Sequence, residues 1–181
     1  MLDQISAGKA SIILEGYKGM EDKAITYLSN KQIILPNISR RGNEFSNPLF
    51  LKLYCETYDE KNNYTPSSFL DVVDNYINHV NNKLSLKYNY QATLFNYPQL
   101  VCTEMANIYM MPTTVHRTKY LPFNELLNRL SSILPNNIPA TNLLQDMIDE
   151  GVLMHYRNHL QENVVDYNFD LVGDYLIAKA L

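Results

Sequence analysis

A mainly α-helical fold with one small β-hairpin near its C-terminal end is predicted by three observations. Apolar residues recur at three-four spacing along most of the chain, most clearly at Phe69, Val72, Val73, Tyr76, Ile77 and Val80, as an amphipathic helix requires. Residues 152–169 instead carry two short apolar runs around a polar turn, the pattern of a hairpin. Hydrophobic residues make up 46% of the 181 positions and charged residues 19%, so a sizeable core can form.

The elements follow in order. Ala10-Ser11-Ile12-Ile13-Leu14-Glu15-Gly16 is a short apolar run ending in glycine and reads as a buried strand without a neighbouring partner. Met20–Lys31 reads as a helix with Ala24, Tyr27 and Leu28 on one face, and Pro36, Asn37 and Gly42 mark a loop. Ser46 or Asn47 can cap the next helix, and Pro48 suits its first turn, where a missing N–H costs nothing; Phe50, Leu51, Tyr54 and Tyr58 line its apolar side. Residues 59–66 form a polar linker, and Ser67 or Ser68 caps the helix that begins near Phe69. Residues 81–89 read as a polar break, followed by a helix over Pro98–Met111 with Leu100, Val101, Met105, Ile108 and Tyr109 apolar.

From Tyr120 the elements shorten. Phe123, Leu126, Leu127, Leu130 and Ile133 make one helix, and Asn136, Asn137 and Pro139 make a turn. Thr141 caps a second helix with Leu143, Leu144, Met147 and Ile148, and Gly151 ends it. Val152–Arg157 and Val164–Phe169 read as strands around the turn at Asn158–Asn163, and Leu171–Leu181 as a last helix. Helix, helix, hairpin is the order of a winged helix-turn-helix. The fold class expected is therefore a helical bundle followed by a winged-helix domain. The final apolar pattern reaches Leu181 without a cap, so the chain is expected to stop within a helix.

Composition excludes several functions. No apolar run reaches the roughly 18–20 residues that span a bilayer, and Met1-Leu2-Asp3-Gln4 does not open a secretion signal, so a cytoplasmic setting is the default. Cys55 and Cys102 lie in apolar helical stretches and read as small buried hydrophobes. His155 and His159 fall in a strand and a turn, which removes helical ligand geometry, and no CxxC or Cys/His cluster offers a metal site. Net charge is −4. The helix that a helix-turn-helix would place in a DNA groove, 141–150, has three acids and no lysine or arginine, and residues 120–181 sum to −5. Duplex binding depends on cations replacing condensed counterions, so a nucleic-acid partner is disfavoured. There is no GxxxxGK[ST], no Walker-B-like strand, no GxSxG and no HExxH, and no catalytic residue is assigned. Asp146, Asp149 and Glu150 read as a solvated helix face.

Phe45-Ser46-Asn47-Pro48-Leu49-Phe50-Leu51-Lys52-Leu53-Tyr54-Cys55-Glu56 resembles the "NPL" segment of STAND-class P-loop ATPases, the NACHT-like signalling proteins that include bacterial antiviral sensors and NOD-like receptors. Residues 165–178, ending Asp174-Tyr175-Leu176-Ile177-Ala178, look like the end of that family's winged helix. The resemblance implies three parts: the end of a nucleotide-binding core and the start of a lid at 1–44, a helical domain at 45–118, and a winged-helix domain at 119–181. It implies that Pro48, with Asn47 beside it, lies against the adenine and ribose of ATP or ADP, at a helix start whose N–H groups favour anions. Phe169 stands where many members carry a histidine that touches the β-phosphate of ADP. Phenylalanine cannot donate to phosphate, and Asn168 is the candidate substitute.

The function implied is a regulatory lid and winged-helix segment that transmits nucleotide state to conformational switching and self-association. Its partner would be the N-terminal P-loop core of a longer protein, with no membrane partner. No ATP hydrolysis and no tightly bound nucleotide are expected of this chain by itself. Two other readings stand beside it: a winged-helix DNA-binding regulator, and a protein-interaction adaptor whose helical half presents a groove, which an exposed apolar patch on the helix at 67–84 would favour.

Overall fold

The computed structural model describes residues 26, 28–30, 33, 48–58, 69–110 and 121–180. The strand expected at 12–16, the loop at 36–42, the linker at 59–66, Asn47 and the capping candidates Ser67 and Ser68 lie outside the described residues. Of the helix expected at 20–31, Thr26 and residues 28–30 are described, and they are helical. The chain is mainly helical with a small three-stranded antiparallel sheet. Among the described residues no helix is long and apolar enough to cross a membrane. The chain divides into two compact units, Met1–Phe69 and Leu70–Leu181.

In the first unit, Leu28 is buried and its carbonyl accepts the Ile33 N–H at 3.0 Å. Helix α1 spans Pro48–Thr57 and opens on the proline that the sequence places there. Its buried face holds Leu51, Leu53 and Tyr54; Leu53 joins the face expected from periodicity, and Tyr58 stays partly exposed. Thr57 closes the helix by donating its hydroxyl to the Leu53 carbonyl at 2.9 Å.

The second unit contains α2 from Leu70 onward. Helix α2 spans Phe69–Tyr88 and buries Val72, Val73, Tyr76, Ile77, Val80 and Leu84 on one side. The polar break expected at 81–89 is overturned: the helix runs on to Tyr88. Asn81 is tolerated because its side chain faces inward and is fully used. Its Nδ2 donates to the carbonyls of Ala92 and Phe95 at 3.1 and 2.9 Å, and its Oδ1 accepts the Tyr90 hydroxyl at 2.6 Å. The helix ends on Asn89 at φ 54°, a left-handed conformation that asparagine accepts better than most residues. The Tyr90 N–H then returns to the Ser85 carbonyl at 3.1 Å.

Helix α3 (Tyr97–Met110) buries Tyr97, Pro98, Val101, Cys102, Met105 and Ala106. Strand β1 (Leu121–Pro122) follows, then helices α4 (Phe123–Ile133) and α5 (Ala140–Asp149). Strands β2 (Leu153–Arg157) and β3 (Asn163–Tyr167) come next, and helix α6 (Asp170–Ala180) is last. Thr141 does not cap α5 but lies inside it; the cap position is Pro139, two residues earlier, with no side-chain cap bond. Gly151 does end it, at φ 80°, with its N–H to the Ile148 carbonyl and the Val152 N–H to the Met147 carbonyl, both at 2.9 Å.

The hairpin pairs Leu153 with Tyr167 through Arg157 with Asn163. Strand β1, absent from the sequence reading, pairs Leu121 with Val165 and gives the order β1-β3-β2. Two residues are too few to show alternation. The central strand β3 carries the buried Val164, Val165 and Tyr167. Helix α3 packs on α6 and α4, α4 on α5 and the sheet, and α6 on β3. At Gly173 of α6 the fold demands closeness: an added Cβ would lie 2.6 Å from Cδ2 of Tyr167.

Candidate functional site

The four residues singled out for nucleotide contact fall in different units. Pro48 opens α1 in the first unit, and Asn47 lies outside the described residues. Asn168 and Phe169 link β3 to α6 in the second. The Asn168 amide is directed inward: its Nδ2 donates to the Gly151 carbonyl at 2.9 Å and its backbone N–H to the Val152 carbonyl at 3.0 Å. It thereby fastens the end of β3 to the turn that follows α5. The Phe169 carbonyl accepts the Gly173 N–H at 3.0 Å, within the first turn of α6.

Beside this link lies a cleft of about 330 Å³ bounded by Tyr109, Tyr167, Ile177 and the carboxylates of Asp166, Asp170 and Asp174. Three acids around one cleft make its potential negative, which disfavours a phosphate. Its phenols are held as neutral donors. Burial first, then the charge and hydrogen bond of Asp166, drives the Tyr109 hydroxyl above its ordinary pKa, and that hydroxyl donates to Asp166 at 3.2 Å. Burial likewise drives Tyr167 upward, and its hydroxyl donates to the Cys102 carbonyl at 2.9 Å. A protonated, committed phenol serves neither as base nor as nucleophile at neutral pH. A second cleft of about 330 Å³ lies at the turn between α4 and α5, bounded by Asn128, Ser131, Pro135 and Thr141 among others, with no charged side chain in its wall.

The expectation of a solvated face holds for the exposed Asp149 and is corrected for Asp146 and Glu150. Asp146 receives Lys87 Nζ and the Tyr88 hydroxyl, each at 2.6 Å. Glu150 receives Lys83 Nζ at 2.6 Å, and its backbone carbonyl accepts the Tyr76 hydroxyl. Asp149 accepts the Gln145 amide at 2.8 Å. On the far side of α2, Asp74 accepts the Tyr175 hydroxyl at 2.9 Å and Lys179 at 2.7 Å. Helix α2 is thus stitched to α5 at one end and α6 at the other. The sequence reading missed Asp74, Lys83, Lys87 and Tyr88. One signal was available, since Lys83/Lys87 and Asp146/Glu150 are like-charge pairs at the same four-residue spacing.

His155 lies in β2 and stacks on Phe123 with ring centroids 4.6 Å apart, and His159 lies in the hairpin turn. Among the described residues, no group of three or more His, Cys, Asp or Glu side chains is gathered to hold a metal ion. Comparison with protein-family models, curated proteins and solved structures found no match to this chain.

Proposed function

We propose that this chain is the lid and winged-helix segment of a STAND-class P-loop ATPase, coupling nucleotide state to a conformational change. The observation that carries the reading is the order helix, strand, helix, helix, hairpin from α3 to β3, with sheet order β1-β3-β2. A winged helix has that order, with the helix-turn-helix at α4 and α5. Two further observations support it. The Asn-Pro-Leu segment opens a helix at Pro48, as a nucleotide-facing helix start requires. The candidate groove-reading helix α5 presents its carboxylates to lysines of α2, so it serves as an internal packing helix rather than a DNA reader.

In this reading ADP, held by a P-loop core, is walled by Pro48, while Phe169 leaves the β-phosphate without the histidine contact. Cytoplasmic signalling and nucleotide-driven self-association follow as parts of the same proposal.

The test is the coding sequence upstream in the same reading frame. A strand–GxxxxGK[ST]–helix there supports the reading; its absence, with no P-loop partner that binds this chain, refutes it. With the core present, Phe169→His is expected to slow ADP release and Pro48→Ala to speed it. An adaptor reading is favoured by the exposure of Leu86, Leu94 and Phe95 around the α2–α3 loop. The apolar face of the helix itself is buried from Val72 to Leu84 and offers no such patch.

A further inference from the structure

We infer that the C-terminal half of α2 and the C-terminal end of α5 form a charge latch, an ionic contact that opens and closes apart from the apolar core. The inference does not depend on the ATPase reading. On each helix like charges repel at four-residue spacing, and on α5 the dipole adds to the repulsion. On α5, Asp146, Asp149 and Glu150 crowd the last turn and its cap, with no basic residue there to offset them. This is the negative end of the helix dipole, and Asp146 and Glu150 repel at four-residue spacing. On α2, Lys83 and Lys87 repel in the same way.

Cross-pairing relieves both. Lys83 meets Glu150 and Lys87 meets Asp146, each at 2.6 Å, with lysines 48% and 56% exposed against carboxylates 29% and 14% exposed. The Tyr88 hydroxyl completes the contact on Asp146. The two halves of α2 are held differently. Val72, Val73, Tyr76, Ile77 and Val80 are buried ahead of residue 81, whereas Asn81 and Leu84 alone are buried beyond it. Up to Leu84 the helix is anchored by apolar burial and by the Asn81 bonds to Ala92, Phe95 and Tyr90; over 85–88 no residue is buried, and that last turn meets α5 through Lys87 and Tyr88 on Asp146. Exposed lysines keep the contact within reach of screening ions, so the latch loosens with salt while the anchor holds.

Amide hydrogen exchange on the full chain tests this with Lys83→Glu, Glu150→Lys and the swapped pair Lys83→Glu/Glu150→Lys. At low salt each single variant is expected to speed exchange of residues 84–88 and 147–150 by about three- to tenfold, and the swap to restore protection. Raising salt from roughly 0.05 to 1 M is expected to speed the same amides in the unaltered chain. Single variants that exchange like the unaltered chain, or a swap that exchanges as fast as the singles, would overturn the latch. If a single variant fails to fold, the swap decides: folded and protected supports the inference, unfolded rejects it.

Discussion

Gly173→Ala sets two effects of opposite sign against each other. Within a helix, replacing glycine with alanine is favourable by at most roughly 0.5–1 kcal/mol, because alanine loses less backbone entropy, and Gly173 ends the first turn of α6. Against that stands Tyr167, whose Cδ2, Cγ and Cβ would lie 2.6, 3.0 and 3.1 Å from the new methyl group. The ring cannot swing aside cheaply. It is 2% exposed, and its hydroxyl is tied to the Cys102 carbonyl at 2.9 Å. Relief therefore requires α6 to move off β3, or the ring to leave its rotamer and lose that bond. Overpacking of this kind costs about 1–3 kcal/mol, and a lost buried hydrogen bond about 1 kcal/mol more. The balance is a net destabilisation of about 1–3.5 kcal/mol, or roughly 4–14 °C in Tm for a unit of this size. Urea unfolding followed by far-ultraviolet circular dichroism measures it, with the midpoint expected to fall at unchanged slope. A variant as stable as the parent, or more so, would refute the close approach of α6 to Tyr167.

Asn81→Ala is expected to cost about 2–3 kcal/mol, because it leaves the Ala92 and Phe95 carbonyls without their amide donor and the Tyr90 hydroxyl with only the residue-81 backbone carbonyl at 3.1 Å; thermal unfolding reads this directly. Gly151→Ala is expected to cost about 1 kcal/mol, since φ is 80° at the end of α5 and little else crowds the position. These alkaline-range groups are expected to leave stability unchanged from pH 7 to about 9 and to lower it above. Burial pushes the Cys102 thiol from 9 to about 12 and the Tyr54 and Tyr90 hydroxyls from 10 to about 12. The unfolded chain therefore releases these protons first, and folding loses stability until the folded values are passed; denaturant midpoints across pH 7–12 would show it. A thiol reagent is expected to modify Cys55 well before the buried Cys102, whose labelling should track unfolding.

The helices and hairpin of the second unit were legible because each rests on local signals. Three-four apolar spacing located α2, and Gly151 supplied the positive φ that closes α5. What was illegible depends on partners distant in sequence. The run at 81–89 looked like a break because Asn81 is polar, yet its bonds go to Tyr90, Ala92 and Phe95. A buried amide whose groups are all satisfied is no reason for a helix to end. Strand β1 exists only as a pairing with Val164 and Val165. Of the expected nucleotide contacts, the helix start at Pro48 was legible, but the inward turn of Asn168 was not. That turn is set by the Gly151 carbonyl, a group that no window around residue 168 contains.

The acids of α5 show how a correct charge count can lead to an incorrect placement. Residues 120–181 are strongly acidic, and three of those acids sit on the helix that a DNA reader would use. Taken alone, that surplus predicts a solvated face. The compensating cations lie outside the counted span, at Lys83 and Lys87 of α2. Removing α2 from α5 would restore the repulsion between Asp146 and Glu150 and leave two half-buried carboxylates without their cations. Approach of a nucleic acid to α5 would meet a helix that is acidic when bare and occupied when paired. When bare, the three acids repel a phosphate backbone; when paired, Asp146 and Glu150 are already taken up by Lys87 and Lys83.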